Sequence, residues 1–314
     1  MSMKRISIII ATLAALMACQ KEVPATLHDD GQISFEMNLP ETKATATEFE
    51  VGDKVAVFAV EYTSDEAPEL QIAGNFLNNE CLTFDGTQWL AAHKLYWSQR
   101  PCDFYAVYPY QKISYVDAHS FEIATDQNAP ETGSSLSGYE ASDILWAKDE
   151  AAYRVDPATL DPESPDYESI IADNGKVCLN FRHLMSKCVV TVTKGEKFEG
   201  EIPDDIVCHI YNTTTSAKLN FAKGSVEKDA TGQRKTITMK KHSNQRFEAI
   251  VVPQNIEIRT PLIEVTMGGI AYLLEYSLSF KPGYVHTLNL ILNTSPDQEK
   301  IEISIDAGVD PMNN

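Results

Sequence analysis

The chain has 314 residues, 43% of them hydrophobic, with 45 acidic against 26 basic side chains and a formal net charge of −19. That apolar share supports packed cores and excludes a globally disordered chain. A surface this acidic repels phosphate backbones and anionic headgroups, which excludes nucleic acid as a partner and favours solubility.

Lys4 and Arg5 precede an apolar run from Ile6 to Met17 that ends in Leu16-Met17-Ala18-Cys19. A basic start, a short apolar stretch and small residues at the cut describe a secretory signal over residues 1–18, too short to span a bilayer. The pattern resembles the lipobox of bacterial lipoproteins, so Cys19 is the expected lipid attachment point; an ordinary signal with a chance cysteine is the plainer alternative. Residues 19–31 are polar, with Pro24 and Asp29-Asp30, and read as a tether.

From Gln32 to Leu39 the chain alternates strictly, with Ile33, Phe35, Met37 and Leu39 on one face and Ser34, Glu36 and Asn38 on the other. That period of two predicts a half-buried strand ending at Pro40. A small polar stretch follows, Glu41-Thr42-Lys43-Ala44-Thr45-Ala46-Thr47, the kind of exposed loop that proteases cut. Val55–Val60 is apolar on both faces and is expected inside a sheet. Trp89–Trp97 and Asp103–Tyr108 are aromatic-rich extended segments, and Asp143–Ala147 packs an apolar group back after a run of turn residues from Ser120. Residues 156–174 hold Pro157, Pro162 and Pro165 among acids, which makes them the best domain boundary or long inter-strand loop.

The second half repeats the style. Val177, Leu179 and Phe181 alternate, and strands are expected near Val189–Val192, Ile206–Tyr211, Lys218–Phe221, Thr236–Met239, Phe247–Val252, Leu262–Met267, Ala271–Leu278 and Tyr284–Leu292. Spacings of roughly 8–12 residues with turn signals between them predict an all-β fold of sandwich type. Its expected domains are 32–175 and 176–314. The last strand places Ile301, Ile303, Ile305, Ala307 and Val309 on one face and Glu302, Ser304, Asp306, Gly308 and Asp310 on the other. The first strand has the same grammar, so both ends of the fold suit the same type of groove. Exchange of such strands between subunits and simple edge strands of their own domains both fit that match.

Five cysteines follow Cys19, an odd number with no CxxC spacing: Cys81, Cys102, Cys178, Cys188 and Cys208. Cys188 is in phase with Val190 and Val192, and Cys208 with Ile206 and Ile210, which favours burial as small apolar residues. In an oxidising compartment a Cys188–Cys208 or Cys81–Cys102 bridge stays open as well. No catalytic signature occurs: there is no HExxH, GxSxG, P-loop or GxGxxG. The seven histidines lie apart, and His183 and His286 read as structural side chains beside strands. The acidic run from Asp156 to Glu168 lacks the glycine and ligand spacing of an EF-hand and reads as a solvated loop. No enzyme, cofactor or metal is expected.

Several segments, in order along nearly the whole mature chain, resemble the fimbrillin family of Bacteroidetes lipoproteins, the FimA-like and Mfa-like subunits of type V pili. They are the region around Cys19, Glu41-Thr42-Lys43-Ala44-Thr45, Val51–Phe58, Phe104–Tyr110, Asp143–Ala147, Phe181–Lys187, Val251–Gln254 and Phe280–Val285. The resemblance implies two transthyretin-like Greek-key β-sandwich domains in tandem and a structural role. It also implies export as an outer-membrane lipoprotein through Cys19, cleavage of the loop after Lys43, and loss of the strand carrying Ile33, Phe35, Met37 and Leu39. The vacated groove would take a neighbouring subunit's strand, carried here by Ile301, Ile303 and Ile305. The familiar members are cut after arginine, whereas this chain offers Lys43. Partners would be other fimbrial subunits, membrane lipid before processing, and a host protein or glycan. The alternative is a surface lipoprotein that does not polymerise, as a fimbrial anchor or an adhesin.

Overall fold

Strand follows strand with little helix between, as the period-two patterning requires. The computed structural model describes residues 31–40, 48–65, 68–130, 136–294 and 303–312. Cys19, Lys43 and Ile301 lie outside the described residues. The first half carries β1 (Ser34–Asn38), β2 (Lys54–Glu61), β3 (Leu77–Phe84), β4 (Trp89–Leu90), β5 (Cys102–Tyr108) and β6 (His119–Glu122). A single-turn helix α1 (Gly138–Ala141), β7 (Leu145–Ala152), a second short helix α2 (Tyr167–Asp173), β8 (Lys176–Asn180) and β9 (Arg182–His183) complete it. The second half holds β10 (Ser186–Lys197), β11 (Val207–Thr214), β12 (Ser216–Asn220), β13 (Ser225–Lys228), β14 (Arg234–Thr238), β15 (Lys240–Ser243) and β16 (Arg246–Val251). It ends with β17 (Gln254–Ile256), β18 (Pro261–Met267), β19 (Ile270–Glu275), β20 (Leu278–Phe280), β21 (Tyr284–Thr294) and β22 (Ile303–Pro311).

The all-β expectation holds. Two differences have local causes. Trp89–Trp97 forms only a two-residue strand and an isolated bridge at Tyr96, because its side chains fill the edge of a core instead of a ladder. The acidic stretch after Asp156 contains α2, whose side chains mostly face solvent, so no apolar period announced it.

Sheet order explains which residues meet. One sheet runs β4-β3-β2-β5-β7-β9, and opposite it stands the pair β1-β8. The second half stacks a five-stranded sheet, β15-β16-β10-β21-β22, against β14-β11-β18-β19. Residues 31–314 group as one compact unit. Two apolar cores lie within it, and each draws residues from both sides of position 175. The first combines Val55, Val57, Phe104 and Ala106 with Val177, Leu179 and Phe181. The second combines Val190, Phe247, Leu288 and Leu290 with Tyr105, Ile123 and Tyr139. All five described cysteines are free thiols, and Cys188 and Cys208 are fully buried as their phase predicted.

Polar contacts stitch the halves together. β6 pairs antiparallel with β12, and the buried Gln127 side chain both donates to and accepts from the backbone of Ile250, each at 2.8 Å. Trp146 Nε1 donates to Phe221 O at 2.7 Å, while the Arg182 guanidinium stacks 4.7 Å from the Trp146 ring centroid and donates to Gly224 O. Glu248 is buried where the Lys187 ammonium (2.7 Å) and the Tyr139 hydroxyl (2.7 Å) converge on one carboxylate oxygen. Burial alone would raise the Glu248 carboxyl, but the Lys187 hydrogen bond and charge, with Tyr139 and His242, bring it down to about 2.

The two histidines assigned structural roles are both buried. His183 Nδ1 lies 3.0 Å from Asp143 Oδ1. His286 accepts from Lys281 N–H through Nε2 at 3.0 Å, and burial drives its imidazole down to about 4 from an ordinary 6.5. A base depressed on folding contributes stability that is complete above pH 6.5 and is lost as pH falls towards 4. Stability is therefore expected to drop by on the order of 2 kcal/mol between pH 7 and pH 5 from this group alone. Urea midpoints at the two pH values check it, and His286→Gln should flatten that part of the profile.

Candidate functional site

The site is β1, its surroundings and the terminal strand β22. Ile33 and Met37 are buried, and Phe35 and Leu39 pack half-buried against the first core, so the predicted face is the inner one. Phe35 meets Phe104 edge-to-face at 6.1 Å between centroids. The partner strand was not legible in the sequence. β1 pairs with β8 in parallel, register Ser34↔Lys176 through Asn38↔Asn180. Ser34 N–H donates to Gly175 O at 3.2 Å, and Phe181 N–H to Asn38 O at 2.8 Å. Asn38 and Asn180 bond through their amides, and Lys176 reaches Glu36 at 3.4 Å. Trp97 caps the start, with Nε1 donating to Gly175 O at 3.0 Å.

On the other side of β1 the contacts are few. Ile33 N–H donates to Leu95 O at 2.8 Å and Trp97 N–H to Gly31 O at 2.9 Å. Three clefts adjoin the strand in sequence. One of about 450 Å³ lies between Ile33, Phe35 and the stretch from Gln88 to Leu95. The next, about 330 Å³, lies between Phe35, Met37, Phe84 and Trp89. A third, about 440 Å³, lies between Met37, Leu39, Phe49 and Trp89. Phe49 closes this end, touching Trp89 (4.8 Å), Tyr108 (5.4 Å) and Phe181 (5.9 Å) edge-on. The segment containing Lys43 thus leaves from Leu39-Pro40 and returns at Phe49, with Leu39 and Phe49 both packed against the first core.

β22 is the outermost strand of the five-stranded sheet and pairs antiparallel with β21, Leu292↔Ile303 through Tyr284↔Pro311. Ile305 packs half-buried against the second core beside its partner Leu290. The expectation of one continuous apolar face holds only in part. Ala307 is exposed and Val309 is 46% exposed, because an edge strand has no further element to cover them. The anchor that periodicity missed is Met312, fully buried, with its N–H donating to Gly283 O at 2.7 Å. The only signal for it is a lone apolar residue after Asp310-Pro311.

Among the described residues no group of three or more His, Cys, Asp or Glu side chains is placed to hold a metal ion, and no helix is long and apolar enough to cross a membrane. The site is a strand seated in a groove, and its chemistry is hydrogen bonding and burial.

No curated protein matches the chain. Among solved structures, a candidate cell adhesion protein of Bacteroides uniformis superposes with a TM-score of 0.61 at 19% identity, covering 89% of this chain and 98% of its own. A candidate cell adhesion protein of Bacteroides ovatus gives 0.63 at 14% identity, covering 89% and 97%. The tip fimbrial protein Mfa3 of Porphyromonas gingivalis gives 0.46 at 11%, covering 83% and 95%. For the two Bacteroides proteins the likeness, at these identities, is one of fold. The model of the fimbrillin-like family matches residues 42–307, most of the chain, and the protein belongs to that family.

Proposed function

We propose that the chain is a structural subunit of a cell-surface fimbria, exported as a lipoprotein through Cys19 and assembled by protease-triggered strand exchange. The observation that carries this is the way β1 is held. It pairs with a single strand over five residues, yet its inner face fills the first core, and its C-terminal end leads directly into the segment that contains Lys43. A cut after Lys43 would leave Ile33, Phe35, Met37 and Leu39 bound by non-covalent contacts alone. Loss of that strand opens apolar surface and an unpaired edge, both unfavourable in water, so an incoming strand gains burial and hydrogen bonds together. The donor is the terminal strand with Ile301, Ile303 and Ile305, each of which would contribute ~1.5–3 kcal/mol on full burial before ordering costs. Tandem transthyretin-like domains with a junction near residue 175 belong to the same proposal.

A second reading has one observation in its favour. The nine-residue ladder of β22 and the buried Met312 seat the donor in its own sheet, as a non-polymerising anchor or adhesin would require. Limited trypsin digestion of the mature protein separates the two. An early cut after Lys43, release of the preceding segment and growth of larger assemblies are expected, and Ile303→Asp should abolish that growth while leaving a folded monomer. A cut protein that stays monomeric, or unchanged polymer in the variant, would count against the exchange.

A further inference from the structure

β1 has two edges, and only one is bonded along its full length. In a parallel ladder alternate residues send both backbone groups to one neighbour, and the residues between send theirs the other way. Ser34 and Asn38 bond towards β8. Phe35 and Met37 therefore present their N–H and C=O groups to the opposite edge. Ile33 confirms the phase, since its N–H donates to Leu95 on that side. Past Ile33, no backbone bond among the described residues meets the outer edge at Phe35 or Met37. The three clefts run along this stretch, walled by Phe84, Trp89 and Phe49. An unpaired edge beside aromatic surface is a template for one more strand.

We propose that these clefts form a strand-addition site that takes the β22 segment of a second copy while β1 is still in place. The inference rests on the strand-exchange reading and adds an order of events to it. The donor first pairs with the outer edge of β1, so the cut that frees β1 acts on a groove already holding its replacement. Two features favour this occupant. β22 offers Ile303 and Ile305 at the spacing of two that an aromatic wall on one face requires. It is bonded to β21 alone, and Ala307 and Val309 are left uncovered along it. An antiparallel entrant would also continue the antiparallel bridge Gln32↔Tyr96 that starts this edge.

The test uses the full mature chain with Lys43→Ala, which keeps β1 attached, and a fluorescent peptide of residues 303–312. The peptide is expected to bind the uncut chain and to slow hydrogen exchange at the Phe35 and Met37 amides. An Ile305→Asp peptide should bind at least about ten-fold more weakly, the loss expected for one buried Ile. Binding that leaves those two amides unprotected would overturn the assigned edge. If the peptide binds trypsin-cut wild type but not the uncut chain, addition beside β1 is wrong and exchange stands. Binding to neither form would remove the strand-exchange reading as well.

Discussion

Gly224→Ala is expected to lower folding stability by about 2–5 kcal/mol, the sum of a left-handed backbone penalty and a forced core displacement. Gly224 has φ +60°, and a Cβ built there would lie 2.4 Å from the Trp146 ring and 2.6 Å from an Arg182 guanidinium nitrogen. Neither neighbour can retreat freely. Trp146 is tied to Phe221 O, and Arg182 is both stacked on Trp146 and bonded to Gly224 O. Gly200→Ala is the control, because Gly200 has φ +79° with nothing within 4 Å of the added carbon. It should cost only the backbone part, about 1–2 kcal/mol. Denaturant midpoints of both variants measure the difference, and equal losses would mean that the Trp146 contact is not tight in solution.

The second large effect is expected at Glu248. Glu248→Ala removes the carboxylate that the buried Lys187 ammonium and the Tyr139 hydroxyl share, and breaking a buried pair from one side costs about 3–5 kcal/mol. Replacing both charges, Lys187→Met with Glu248→Leu, should recover the part of that loss due to the uncompensated ammonium, because a well-packed apolar pair has no charge to desolvate, while the Tyr139 hydroxyl still lacks its Glu248 acceptor. A double-mutant cycle by chemical denaturation gives the coupling directly. The carboxyl also predicts an acid limb. Its folded value of about 2 lies below the ordinary 4.5, so its contribution is complete above pH 4.5 and is lost as pH falls towards 2. Glu248→Gln should remove that limb while sparing the one assigned to His286.

Most strands were legible because burial on one face leaves a period-two trace. The alternation from Ile33 to Leu39 is a clear case, whereas Val55–Val60 was legible as an unbroken apolar run buried on both faces. β3 was not, since Asn78, Asn79 and Glu80 interrupt its apolar phase where the strand runs past polar loops. Partner choice was invisible throughout: nothing in Ser34–Asn38 shows that its neighbour is Lys176–Asn180, or that the two run parallel. The same holds for β6 and β12, whose pairing carries part of the first half into the second core. Register between distant segments is set by which faces fit after collapse, and a single strand's pattern contains only its own half of that match. The fully buried Met312 shows the converse, an anchor too isolated to leave any periodicity.

The β1–β8 ladder also determines when the chain can complete itself. Asn38 and Asn180 are 142 positions apart, and Ser120 and Lys218 are 98 apart. In a chain emerging from its N-terminus, β1 appears early and has no strand to join until β8 has followed it. β6 waits in the same way for β12. Such long-separation pairing slows folding, because the ends of a long loop must meet before any contact stabilises them. β1 and β6 are thus left to wait for late segments, while β2, β3, β5 and β7 find their partners among one another.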